Sequence, residues 1–392
     1  MVMRIVSAVA IAILSSTTSG AKLSSTQQQT PLQRYQHPSD RLQDLLSNAR
    51  QQRQAVRVVG VHDALSARIV QQQHESKLLQ HYTENGESSS VSSAPAAMGL
   101  FVSGFGVSAA RLGRPDMSIL TRYEVEDTAR NIIQAVSHTS SSSLLSSYAS
   151  LPPPPVIVDG DTGFGGTANV RETIRRMAAI KAAAITIEDQ VFPKRCTYIA
   201  GSGINIVSRA ESMDRVRTAL AAQKEAEEID GNRISIVART DCRMAFDLDE
   251  AIERCLAFQE MGADIIYAEN LQSKEEYIAL RKAMIGGNNV EDTSVADSIV
   301  PMILAQFQTG KKDQRLYSMD EVSSMGYEMT LYGVTGLQAT VSALQSVASE
   351  LFDDEGGSGG IITSTPLATL NEIKDVVGFS DLDSFEHKYG CT

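Results

Sequence analysis

The stretch Val156-Ile157-Val158-Asp159-Gly160-Asp161 decides the fold: a short β-branched run that passes directly into two acids. Its length and branching suit a strand buried on both faces, as in a parallel sheet. Working outward, the same design recurs at 56–61 (V-R-V-V-G-V), 99–102 (G-L-F-V), 184–187 (A-I-T-I) and 234–238 (I-S-I-V-A). It appears again at 265–268 (I-I-Y-A), 302–305 (M-I-L-A) and 329–332 (M-T-L-Y), which makes eight runs with 156–158. Helical patterns separate them. Asn169–Ile180 places Val170, Ile174 and Met177 on one face, and Asp249–Met261 aligns Ala251, Ile252, Cys255, Leu256 and Phe258. Eight strand–helix units between residues 55 and 352 approach the ~250 residues typical of a (β/α)8 barrel. A doubly wound open sheet is the alternative, but it usually carries a G-x-G-x-x-G turn after an early strand, and none is present.

The strands share a polar ending. They run into His62-Asp63, Ser103-Gly104, Asp159-Gly160-Asp161, Glu188-Asp189, Arg239-Thr240-Asp241, Glu269-Asn270 and Gln306. In a barrel these ends converge on the catalytic face. Asp159 and Asp161 stand two apart, so on a strand their side chains point the same way. With Glu188 they form an oxygen-only trio whose mutual repulsion calls for protons or a cation. Hard carboxylate ligands favour Mg2+, or Mn2+, over zinc. The six histidines support this, since none lies between 139 and 386 and only His62 is at hand for a zinc site or a triad.

After Glu188 comes Asp189-Gln190-Val191-Phe192-Pro193-Lys194-Arg195-Cys196. Two cations ahead of Cys196 favour its thiolate. The chain continues as Thr197-Tyr198-Ile199-Ala200-Gly201-Ser202-Gly203, the composition of a mobile lid carrying an acid/base group. Cys242 and Cys255 read as structural thiols. A divalent cation with Arg239 would hold a 2-oxo acid or its enolate, and Cys196 would exchange the proton at the carbanion carbon.

Composition sets the limits. The 392 residues carry 35 Lys+Arg against 47 Asp+Glu, a net charge of −12 that argues against nucleic acid as a partner. Four cysteines at 196, 242, 255 and 391 form no C-x-x-C pair, which argues against a disulfide framework or a zinc ribbon. Residues 1–21 combine Arg4, an apolar stretch from Ile5 to Leu14 and small residues near Ala21, which reads as a secretory signal or an organellar (mitochondrial or plastid) presequence. No run is long enough for a membrane span. Residues 22–54 read as a disordered leader and an entry helix. Low-complexity insertions fall near 84–97 and 137–155, a Gly-rich linker at 353–360 and a helical tail at 361–392.

At the site residues the chain resembles the isocitrate lyase/phosphoenolpyruvate mutase superfamily. The resemblance rests on G-V-H-D-A-L-S-A-R (60–68), S-G-F-G-V-S-A-A-R-L-G-R-P-D (103–116), V-D-G-D-T-G-F-G (158–165), I-E-D-Q-V-F-P-K-R-C (187–196) and V-A-R-T-D (237–241). The tail L-N-E-I-K-D-V-V-G-F (370–379) is similar to that of the plant carboxyvinyl-carboxyphosphonate phosphorylmutase-like group. The resemblance implies an (α/β)8 barrel with a subunit-swapped C-terminal helix, in homodimers or homotetramers. It implies Mg2+ at Asp159 and Asp161, partly through water, with Glu188 and Asp116 nearby. It also implies substrate contacts at Ser103, Gly104, Phe105, Arg239 and Glu269.

The candidate set is therefore Cys196, Lys194, Arg239 and Tyr198 as catalytic groups. Ser103, Gly104, Phe105, Asp63, Thr197, Glu269 and Gln306 are the substrate contacts, and Asp159, Asp161, Glu188 and Asp116 the metal set. Lyases of the superfamily carry Gly-His after the lid cysteine, where this chain has Thr197-Tyr198. Mutases have Asn in place of the cysteine, so Cys196 argues against pure mutase chemistry. Methylisocitrate lyases carry an Arg early in the last barrel helix where Gln338 stands here, and losing that charge argues against a tricarboxylate. The expected activity is Mg2+-dependent cleavage or rearrangement of a small 2-oxo or 2-hydroxy dicarboxylate through an enolate. A C–P phosphorylmutase, a C–C hydrolase and a catalytically weakened metabolite-binding barrel are the alternatives.

Overall fold

A computed structural model describes residues 37–85, 96–137, 152–197, 204–286, 299–308, 315–352 and 363–390. The leader at 1–36, most of both low-complexity insertions, the linker at 353–360 and Tyr198 lie outside the described residues.

Eight parallel strands close into a barrel in sequence order: β1 (Val56–Val61), β2 (Met98–Val102), β3 (Val156–Asp159), β4 (Ala184–Ile187), β5 (Ser235–Thr240), β6 (Ile265–Ala268), β7 (Met302–Ala305) and β8 (Met329–Tyr332). Closure comes from β1 pairing with β8, Val56 opposite Met329 through Val59 opposite Tyr332. Because β2 through β6 are buried along their whole length, their sequences are continuous apolar runs without alternation.

The outer layer contains α1 (Pro38–Gln52), α2 (Ala64–Asn85), α3 (Arg122–Ser137), α4 (Thr167–Ala179), α5 (Arg209–Asp230), α6 (Leu248–Glu260), α7 (Lys274–Met284), α8 (Met319–Ser324) and α9 (Thr335–Leu351). Two helices follow, α10 (Leu370–Val377) and α11 (Phe379–Tyr389). The helix expected from Asn169 begins two residues earlier and buries Val170, Ile174 and Met177 against the strands. The one expected from Asp249 starts at Leu248 because the Asp247 side chain caps it by accepting from the Glu250 amide. Ala251, Cys255 and Phe258 are fully buried there, while Ile252 and Leu256 pack at the edge of that cluster. α1 stoppers the barrel floor: Leu42, Leu46 and Ala49 join the interior cluster with Val56, Ile157, Val237, Ile303 and Met329. Arg50 locks it there through Glu328 at 2.8 Å.

Two expectations at the catalytic end need correction. β5 does not stop at Ala238; Arg239 and Thr240 still pair with Tyr267 and Ala268, so Arg239 is a strand residue with a rigid backbone. Asp161 is not on a strand. β3 ends at Asp159, and Asp161 sits in a turn at φ +48°, a left-handed conformation that Asp tolerates better than most side chains. The two acids converge because the chain turns, not because a strand alternates. The turn needs Gly160: a Cβ there would lie 2.3 Å from the Thr186 carbonyl oxygen of β4.

Candidate active site

At the C-terminal end of the strands a cavity of about 420 Å3 opens. Its walls include Ser103, Phe105, Asp116, Asp159, Lys194, Cys196, Thr197, Arg239, Glu269 and Gln306, contributed by five different strands and the segment after β4. Most of the sequence-derived set therefore meets in one place. Gly104 lies beside that wall, its amide donating to Asp159 Oδ2 at 3.3 Å. A Cβ on residue 104 would lie 3.1 Å from that oxygen and 3.2 Å from Asp161 Oδ1, so glycine lets both acids approach.

Asp159 is held from three sides. The Gly104 amide donates to one oxygen, and the Thr186 hydroxyl at 3.0 Å and the Asp161 amide at 3.4 Å donate to the other. Lys194 and Arg239, helped by the Thr186 hydrogen bond, outweigh the burial penalty and hold this carboxyl below its ordinary range. Asp161 behaves oppositely: burial, with Asp159 and Asp116 close by, pushes it up to about 7 against the pull of Lys194. Burial and the nearby Asp241 carboxylate raise Glu188 well above its usual value, Arg239 opposing.

Lys194 ties these groups to the segment after β4. Its Nζ lies 2.6 Å from Asp116 Oδ2 and 2.9 Å from Asp161 Oδ1. Though burial works against the charge, Asp161, Asp116 and Glu188 together keep the ammonium pKa well above its ordinary value. The backbone is fastened as well: Lys194 N–H donates to Ser118 Oγ at 2.8 Å, and Cys196 N–H to the Asp116 carbonyl at 3.1 Å. Those bonds hold the half-buried Cys196 at the cavity wall.

Arg239 spans the opposite side. Its Nε donates to Asp241 Oδ1 at 2.7 Å and Nη2 to Oδ2 at 3.0 Å, while Nη2 lies 3.5 Å from both Glu188 and Glu269.

Sequence reasoning missed Gln190, which is buried on the cavity wall. It donates to Asp241 Oδ2 at 2.7 Å and accepts from the Arg195 amide at 3.0 Å, so one amide braces Arg239's clamp and the segment after β4 together. Its signal was present as the third residue of Glu188-Asp189-Gln190. Tyr267 was hidden inside an apolar strand. Asp189 points the other way, to Arg254 on α6 at 2.9 Å.

Three sequence-derived residues have other occupations. Asp63 is half exposed and does not line the cavity; it caps α2 by accepting from the Ser66 amide at 2.7 Å. Ser103 lines the cavity but its hydroxyl also accepts from Gly106 N–H at 3.2 Å. Gln306 is on the wall with its amide committed: Nε2 donates towards Tyr317 O, Thr330 Oγ1 and Tyr332, and Oε1 accepts from Tyr317 N–H. Cys242 and Cys255 are fully buried, and burial pushes the first thiol up to about 12 and the second well above its usual value, as suits structural thiols.

The expected carboxylate trio is thus an ion cluster with a lysine inside it. Among the described residues no three His, Cys, Asp or Glu side chains converge as a ready metal cage. Yet both Glu188 oxygens are buried without a hydrogen-bond partner, Arg239 Nη2 standing 3.5 Å from one of them. Six carboxylates are buried in this region (Asp116, Asp159, Asp161, Glu188, Asp241 and Glu269), and the buried cations ion-paired to them are Lys194, with Asp116 and Asp161, and Arg239, with Glu188, Asp241 and Glu269. That deficit of positive charge suits a hard cation bringing its own water to the oxygens the protein leaves unsatisfied.

The phosphoenolpyruvate phosphomutase family model matches residues 46–352. A 2,3-dimethylmalate lyase of Eubacterium barkeri is 30% identical over 74% of this chain and 86% of its own. The chloroplastic carboxyvinyl-carboxyphosphonate phosphorylmutase of Arabidopsis thaliana is 27% identical over 89% of this chain and 84% of its own. Among solved structures, oxaloacetate acetylhydrolase with the inhibitor 3,3-difluorooxalacetate superposes with a TM-score of 0.67 at 26% identity, over 91% of this chain and 98% of that one. These relatives include a lyase, a phosphorylmutase and a hydrolase acting on small carboxylates, carried on the same closed eight-stranded barrel, and this chain belongs to their phosphoenolpyruvate mutase/isocitrate lyase superfamily.

Proposed function

We propose that this enzyme is a divalent-cation-dependent carbon–carbon lyase for a small 2-hydroxy dicarboxylate of the alkylmalate type. The observation that carries the reading is the mixed lining of the cavity at the strand ends. Its wall includes Asp159, Lys194, Arg239 and Cys196, and it also includes Phe307, Leu331, Leu337 and Val341. α9 contributes Gln338, Ser342 and Gln345 but no cation to that wall, which supports an alkyl substituent there and not a third carboxylate.

Asp159 and Asp161 would hold Mg2+, or Mn2+, with Glu188 and Asp116 receiving its water, and the ion would stabilise charge developing on the substrate's 2-oxygen and carboxylate. Arg239, fixed on β5 by Asp241, binds a carboxylate. Lys194 keeps the segment closed over the substrate and excludes water. Cys196 gives its proton to the carbon that carries the electron pair after cleavage.

The test is a substrate panel with Mg2+ read by proton NMR: 2,3-dimethylmalate, oxaloacetate, 2-methylisocitrate, isocitrate and phosphonopyruvate. Cleavage of the alkylmalate is the expected result. Preferential turnover of a tricarboxylate, or rearrangement of phosphonopyruvate, would overturn the reading.

A homodimer or homotetramer is part of the proposal. The support is the exposed apolar surface of Leu344 and Leu351 on α9 and of Ile373, Leu382 and Phe385 on α10 and α11, more than a solitary chain ordinarily displays. Light scattering on the purified protein tests it. Among the described residues no helix is long and apolar enough to cross a membrane. The acid-free segment at 1–21 and the chloroplastic relative support an organellar destination over the secretory pathway, and N-terminal sequencing of the mature protein tests that.

A further inference from the structure

Cleaving a 2-hydroxy acid between C2 and C3 needs two proton transfers at separate places. Cys196 serves the carbon; a different group must take the proton from the 2-hydroxyl. That acceptor must face the cavity, have somewhere to pass the proton, and lie by the cationic residues that hold the substrate.

Tyr267 meets all three conditions. It lies on β6, two residues before Glu269, which directly follows the strand, and both side chains line the cavity. The Tyr267 hydroxyl donates a hydrogen bond to Glu269 Oε2. The other oxygen of Glu269 accepts from the Asn270 amide at 3.2 Å, which fixes the carboxylate's orientation. Arg239 stands over the pair, its guanidinium carbon 5.1 Å from the Tyr267 ring centroid and its Nη2 3.5 Å from Glu269 Oε2. A phenolic oxygen can accept one hydrogen bond while donating another, which a carboxylate cannot do and a phenylalanine ring does not attempt.

We propose that Tyr267 is a catalytic residue that takes the proton of the substrate's 2-hydroxyl while passing its own phenolic proton to Glu269. This rests on the lyase reading above. The balance is closed. The O–H bond of the substrate breaks, its electron pair forms the C2=O bond, and the C2–C3 bond breaks. Its pair passes to C3 as the enolate of the departing acid, and the Cys196 thiol protonates C3. Glu269 ends protonated and Cys196 ends as thiolate; proton exchange through water after product release restores both. No oxidant or further reactant is needed.

Tyr267→Phe keeps the ring, its packing and its contact with Arg239, and removes only the oxygen. On the 2-hydroxy acid that the wild type cleaves best, kcat is expected to fall by about 10²–10⁴-fold, the usual contribution of a positioned acid or base. KM and thermal midpoint should stay near wild type. Replacing Tyr267 by fluorinated tyrosines varies the acidity of the phenol with almost no change in shape, so kcat and the pH profile should move with the number of fluorines. A purely structural hydroxyl would give no such trend. A Tyr267→Phe enzyme with kcat close to wild type, or a fluorine series with constant kcat, would overturn the relay while leaving the lyase reading intact. A wild type that cleaves no 2-hydroxy acid would overturn both.

Discussion

Replacing Lys194 by Met removes the ammonium from the centre of the acidic cluster while preserving most of the side chain's volume. Lys194 lies within 3 Å of two carboxylates, at 2.6 Å from Asp116 and 2.9 Å from Asp161, and all three groups are buried. Removing one partner of such a pair leaves a buried uncompensated charge and costs about 3–5 kcal/mol. At the ~2 °C per kcal/mol found for larger domains, the metal-free protein should melt roughly 6–10 °C lower. Asp161 can escape part of that cost by taking up a proton, because its carboxyl already titrates near 7 in the folded protein. Without Lys194 its pKa rises further, so the variant binds the extra proton over a wider range of pH. Stability relative to wild type therefore falls as pH rises through and above 7. Thermal melts of both proteins in chelator at pH 6 and pH 8 give the measurement, and the deficit should be larger at pH 8. A deficit below 1 kcal/mol, or one equal at both pH values, would refute the view that Lys194 neutralises this cluster.

For the wild type without metal, Asp161 is raised from about 3.8 unfolded to about 7 folded, so its contribution is most favourable below the unfolded value and declines as pH rises towards 7. Mg2+ should reverse the loss, and its stabilising shift in thermal midpoint should be greater at pH 8 than at pH 6; a constant shift would detach the ion from Asp161. Cys196→Ala should leave the melt unchanged and lower kcat by about 10²–10⁴-fold, with cleavage and solvent-deuterium incorporation at C3 falling together; full activity would remove the thiol from the chemistry. Gly160→Ala should destabilise the fold by about 2 kcal/mol or more, read by denaturant melts, because its Cβ would lie 2.3 Å from the Thr186 carbonyl across the β3–β4 ladder.

The barrel was legible because parallel strands buried on both faces have to be written as unbroken apolar runs. Five of the eight runs coincide with the observed strands: 56–61, 184–187, 265–268, 302–305 and 329–332. The missed boundary at Arg239 has a physical reason: a charged residue ends an apolar run, whereas the hydrogen-bond ladder continues until its partner strand stops offering carbonyls. Asp63 caps α2 away from the cavity wall, and a cap and a ligand look alike in sequence because both are short acids placed just after a strand. Gln190 could have been suspected from its place in a motif, but its two bonds join the end of β5 to the segment after β4 and no spacing rule encodes them. Tyr267 looked like one more strand aromatic.

By itself, then, the sequence determined the closed eight-stranded architecture, the family, and which face bears the acids, since these follow from local period and from residue types at strand ends. Tertiary structure alone decided the charge state of the site. That the Asp159 carboxyl is held below its ordinary range while those of Asp161 and Glu188 are raised depends on which cations stand within a few ångströms and how much water is excluded. Lys194 reaches Asp116 across 78 residues of chain, and the electrostatic energy between them depends on that spatial distance, which the chain acquires only by folding.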